Sequence, residues 1–115
     1  MKFYSNGKLL ITGEYFVLNG ALSLALPTVY GQYLEINDND SNIINWKSYN
    51  NDKEIWFECE MDKDNLDILD CSSKEISKII KELISFIREK ETNFLKSNGS
   101  TINTQLTFDK NWGLG

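Results

Sequence analysis

The chain has 115 residues, 41% hydrophobic and 25% charged, a balance that suits one globular domain with a core of its own. Its formal net charge is −5 at pH 7, and its twelve Lys and Arg are scattered rather than gathered into a basic stripe, which argues against a nucleic-acid partner. There is no His, and the two cysteines, Cys59 and Cys71, form no Cys-x-x-Cys pattern, so a zinc site has no ligand set. Without a secretory signal the two thiols read as reduced, and nothing in their spacing demands a disulfide. Gly13 and Glu14 interrupt the N-terminal apolar run, so no signal peptide is expected. No segment reaches the roughly eighteen apolar residues of a membrane span. The expected location is the cytoplasm, with no membrane partner.

In chain order, Met1 to Tyr4 reads as a short edge strand and Leu9 to Ile11 as a short apolar strand bounded by Gly7 and Gly13. A second apolar block, Ala21 to Leu26, follows the turn signal Asn19-Gly20. Glu14 lies in otherwise apolar surroundings, where a buried charge must be paired or used. On these residues alone it is a turn carboxylate that reaches solvent or caps backbone amides. Tyr30 to Ile36 alternates loosely, and Asn37 to Asn42 is a strong turn signal, because Asn, Asp and Ser side chains satisfy their own backbone. Ile43 to Tyr49 and Glu54 to Glu60 then predict two strands of an antiparallel meander, the second with Ile55, Phe57 and Cys59 on one face.

Asp62 to Asp70 is acidic. An EF-hand loop counted from Asp62 requires Gly at its sixth position and Glu at its last. Asp67 and Ser73 stand there instead, so the segment reads as a solvated connection. Ser72-Ser73-Lys74-Glu75 matches a capping box. From it Ile76, Ile79, Ile80, Leu83, Ile84, Ile87 and Phe94 follow helical spacing, predicting one long helix from about Ser73 to Lys96. Thr101 to Phe108 alternates as a strand and leads into Trp112-Gly113-Leu114-Gly115. The predicted class is α+β: a single domain over 1–115, its antiparallel or mixed sheet covered on one face by one long helix.

Two stretches carry a resemblance. Gly7-Lys8, the apolar run Leu9 to Ile11, Gly13-Glu14-Tyr15 and Val17-Leu18-Asn19-Gly20 together resemble the first motif of the galactokinase, homoserine kinase, mevalonate kinase and phosphomevalonate kinase superfamily, the GHMP kinases. Asn6 replaces the Pro usual in that motif. Tyr15, where many members carry His, makes the phosphomevalonate kinase-like branch the most similar. Trp112-Gly113-Leu114-Gly115 is similar to the opening of the family's phosphate loop, Gly-Leu-Gly-Ser-Ser, with Asp109 or Lys110 where Pro is common.

The resemblance implies the N-terminal half of that fold, ribosomal-protein-like with a left-handed β-α-β crossover, where general rules predict a right-handed one. It implies a truncated kinase domain, inactive alone, that in its complete form uses ATP and Mg²⁺ to phosphorylate a mevalonate- or phosphomevalonate-like acceptor. Lys8 aligns with the basic residue near the transferred phosphoryl group. Glu14 and Tyr15 align with the pair that lines the acceptor pocket. Asn111, Trp112, Gly113, Leu114 and Gly115 align with the nucleotide-phosphate loop, although an aromatic such as Trp112 at a strand end is also a common core residue. The family's catalytic Asp and magnesium carboxylate correspond to no residue here. The phosphate chemistry has a physical basis in small residues that let backbone amides approach an anion. The Walker pattern Gly-x4-Gly-Lys-Ser/Thr is absent. The rival expectation is a non-catalytic binding or assembly module that dimerises through an exposed sheet edge or face.

Overall fold

A computed structural model of the protein describes residues 1–13 and 15–114. Six strands and one helix succeed one another as β1 (Lys2–Thr12), β2 (Leu24–Asn39), β3 (Ile43–Tyr49), β4 (Ile55–Asp62), β5 (Ile68–Cys71), α1 (Lys74–Lys90) and β6 (Gly99–Leu106). They form one mixed sheet in the order β1-β2-β6-β3-β4-β5. Every neighbouring pair is antiparallel except β3 and β6, which run parallel. The class is α+β, as composition and periodicity predict.

The differences from sequence are instructive. Met1–Tyr4 and Leu9–Ile11 are not separate strands but parts of one long β1. The Asn37–Asn42 turn is shorter than its composition suggests, because Asn37, Asp38 and Asn39 are held in β2 by pairing with Thr101, Ser100 and Gly99. The meander holds for β3 and β4 but not for β2 and β3, since β6 inserts between them. The acidic segment read as a solvated connection also contains a strand: Ile68–Cys71 forms β5 by pairing with β4, which an acidic composition does not announce. The helix stops at Lys90, short of Lys96. Its N-cap is Ser73 rather than Ser72: the Ser73 hydroxyl accepts from the Ile76 amide at 3.5 Å. Ser72 Oγ instead accepts from the Glu58 amide at 3.0 Å and donates to the Glu58 carbonyl at 3.2 Å, closing the β4 edge.

The core lies between α1 and one sheet face, where Ile44, Phe57, Cys59, Met61 and Ile102 meet Ile80, Ile84 and Leu66. The opposite face presents side chains such as Lys47, Glu58, Asn103 and Gln105, as a sheet with one wet face requires. Within the helix only part of the predicted stripe is buried. Ile80 and Ile84 point inward with Ser77, whereas Ile79 and Leu83 are exposed. Ser77 reaches full burial at little cost because its hydroxyl donates to the Ser73 carbonyl at 2.6 Å. Between β3 and β6, Thr104 Oγ1 donates to Ser48 Oγ at 2.9 Å, and Trp46 Nε1 donates to the same oxygen at 3.0 Å.

A clamp after the helix takes the place of the missing turns. The half-buried Arg88 guanidinium donates to the carbonyls of Phe94 and Leu95 at 2.9 Å each, and to that of Lys63 at 2.7 Å. Burial lowers its pKa from the ordinary value, partly offset by Asp64. Among the described residues, no helix is long and apolar enough to cross a membrane.

Candidate functional site

Pairing of β2 with β6 begins at Gln32–Leu106, and Gly31 adds bonds to Thr107. Among the described residues, the part of β1–β2 beyond Gly31 has no further strand beside it and projects as an arm. Its extent is consistent with principal dimensions of 45 × 33 × 26 Å. Leu9, Ile11, Leu24 and Leu26 are all about half exposed along it.

At the base of the arm the ladder is broken. Asn6 pairs with Gly31 and Lys8 with Pro27, so one residue of β1, Gly7, faces three of β2: Thr28, Val29 and Tyr30. This bulge leaves the Lys8 amide without a β2 partner, and the C-terminal segment supplies one. Lys8 N donates to the Leu114 carbonyl at 2.8 Å. Thr28 Oγ1 spans the bulge, donating to the carbonyl of Tyr30 at 2.7 Å and lying 3.3 Å from that of Gly7. Asn6 Nδ2 donates to the Thr28 carbonyl at 2.6 Å. Gly7 permits the approach, since a Cβ there would lie 3.0 Å from the Leu114 oxygen and 3.1 Å from Leu114 Cβ. Leu114 itself is buried with Leu106 and Phe108.

The strand β6 delivers the segment to this point through a short 3-10 turn, Lys110–Trp112. Asp109 caps it, its carboxylate accepting from the Asn111 amide at 2.8 Å. The Lys110 amide donates to Asn50 Oδ1 at 3.1 Å, and its ammonium stands 5.5 Å over the Trp56 ring. Gly113 follows with φ of 66°, the left-handed conformation glycine favours, and open space on its side-chain position. Trp112 is not core: it is more than half exposed, with Tyr30 edge-on at 5.4 Å and Phe108 stacked at 6.5 Å.

The structure therefore brings together Lys8 and the Asn111–Leu114 turn. The Lys8 side chain is exposed, and among the described residues it enters no ion pair. Tyr15 is not part of this junction: it stands exposed at the tip of the arm, past Thr12, the last paired residue of β1. Glu14 and Gly115 lie outside the described residues. Asn6, Thr28 and Tyr30 are contributors that sequence reasoning missed. Their roles arise from the bulge, and no local pattern announces a bulge.

The exposed Lys8 thus sits on the strand segment against which the glycine turn is seated. Among the described residues, no group of three or more His, Cys, Asp or Glu could hold a metal ion. No family model, curated protein or solved structure matches the chain.

Proposed function

We propose that these 115 residues form the N-terminal part of a GHMP-type small-molecule kinase. ATP, when bound, supplies the γ-phosphoryl group, and the acceptor is a hydroxyl or phosphate of a mevalonate- or phosphomevalonate-like acid. The observation that carries this reading is the Lys8–Leu114 hydrogen bond, 2.8 Å long, which seats the glycine turn on the Gly7-Lys8 segment. Two segments that resemble the family's separate motifs are far apart in the chain yet adjacent in space. Lys8 would hold a phosphate oxygen as a point charge, and Gly113 and Leu114 would offer backbone amides, those of Asn111 and Trp112 being taken by Asp109. The β5–α1–β6 connection supports the same half-fold, and the proposal includes the family's left-handed crossover.

On this reading the 115 residues alone transfer no phosphoryl group and bind Mg-ATP only in the millimolar range. Titration with Mg-ATP, followed through backbone amide chemical shifts, tests it. Weak saturable shifts are expected at Gly7, Lys8 and Asn111 to Leu114, diminished in Lys8→Ala. Shifts centred elsewhere, or none, overturn the kinase reading. Micromolar affinity overturns the expectation of weak binding.

A second reading, an assembly module that pairs with a second copy, is favoured by the arm. Leu9, Ile11, Leu24 and Leu26 expose apolar surface there, beside the unpaired outer edge of β1. Light scattering across a concentration series tests this. Dimers that Leu26→Lys dissociates support it, and a monodisperse monomer at high concentration removes it.

A further inference from the structure

We propose that Cys59 and Cys71 form a redox modification site, a cross-strand dithiol that a low-molecular-weight disulfide such as oxidised glutathione closes into an intramolecular disulfide. The two residues are direct partners in the antiparallel β4–β5 register, so their side chains share one face. The adjacent pair shows which kind of site they occupy. The Ser72 amide donates to the Glu58 carbonyl at 2.9 Å, while the Glu58 amide is taken by Ser72 Oγ; Glu58–Ser72 thus occupies the hydrogen-bonded position of the ladder and Cys59–Cys71 the non-bonded one. Accordingly the Cys71 amide turns away from β4 and donates to its neighbour's carboxylate, Asp70 Oδ1, at 2.9 Å. Non-bonded pairs hold their Cα atoms about 4.5 Å apart, inside the range that a disulfide spans.

Both thiols are free, and they differ in access: Cys59 is buried, while Cys71 is half-buried on the outermost strand. Burial is also the main reason that the Cys59 thiol is pushed up to about 11, against a lowering contribution from the Ser77 hydroxyl. Cys71 is thus the point of entry. Its thiolate attacks one sulfur of the oxidant and expels the first thiolate. Cys59 then gives up its proton, attacks Cys71 Sγ and expels the second. Two protein thiols are oxidised by two electrons, the oxidant's disulfide is reduced to two thiols, and the two protons end on those leaving groups. The proposal stands independently of the kinase reading.

Equilibration of the 115-residue protein in a glutathione redox buffer, with acid quenching and intact-mass analysis, tests the proposal. The expected product has lost two hydrogens and carries no glutathione. Because the fold holds the partners together, the closure constant in native buffer should exceed that in concentrated urea by about 100-fold. In Cys59→Ala, a glutathione adduct should accumulate at Cys71. A persistent adduct on the unaltered protein, a disulfide between molecules, or a native-to-urea ratio at or below one overturns the proposal. The urea comparison uses the unaltered chain and decides the matter even if Cys59→Ala fails to fold.

Discussion

The Lys8 amide donates to the Leu114 carbonyl across 2.8 Å, a bond that joins the two ends of the chain through a break in the β1–β2 ladder. Gly7, next to it, makes the approach possible. A methyl group at this position would press on Leu114 and, at 3.2 Å, on Thr28 Oγ1.

Gly7→Ala should therefore loosen the junction without unfolding the sheet. We expect a loss of about 1–2 kcal/mol, typical of modest overpacking. Hydrogen exchange at the Lys8 amide should accelerate by roughly tenfold, while amides of β3 and β4 keep their protection. An unchanged rate at Lys8 would show that Leu114 does not depend on the missing side chain.

Arg88 ties the segment after the helix to the β4–β5 turn through carbonyls on both sides. Its removal leaves those acceptors poorly satisfied, so Arg88→Ala should cost about 2–3 kcal/mol in urea denaturation. Arg88→Lys should recover less than half of that, because one ammonium lacks the forked geometry. Equal stability of the Lys variant and the original would contradict the clamp.

Asp62 contributes to the acid side of the stability curve. Its carboxylate accepts from the Asp64 amide at 2.9 Å and the Asn65 amide at 3.1 Å, and these bonds hold it below its ordinary value of 3.8, with Asn65 the larger cause. The depressed folded value means that this contribution is complete above the unfolded value and disappears as pH falls through the folded one. Urea midpoints should be flat in this respect at neutral pH and fall below about pH 4. Asp62→Asn should remove that part of the acid dependence while keeping the turn, and an unaltered slope would count against the assignment.

Ile84 and Ile79 belong to the same helical stripe in the sequence but differ in the fold, at 1% and 63% exposure. Ile84→Ala should cost about 2–5 kcal/mol. Ile79→Ala should stay within about 0.5 kcal/mol in the monomer. Thermal melts of the two variants separate the predicted stripe from the buried one.

Much of the local structure was legible. Ile43–Tyr49 was predicted as β3 with its observed bounds, and the alternating faces of β4 and β6 matched as well. The helix was legible because its apolar residues recur at its own period, and its start was misplaced by one residue because Ser72 and Ser73 offer equivalent hydroxyls. Its end was overestimated because Phe94 continues the spacing. That residue reaches the core from a loop that Arg88 holds in place.

By itself the sequence determined that β3, β4 and β6 are strands, that α1 is a helix, and which residues make their apolar faces, because these follow from spacing along a short stretch of chain. Only the tertiary structure decided that β6 enters between β2 and β3, that Cys59 faces Cys71, and that Leu114 returns to Lys8 while Tyr15 stays at the tip of the arm. These are choices of partner between distant residues. They depend on register, on a bulge and on the space left by a glycine, which no local pattern encodes.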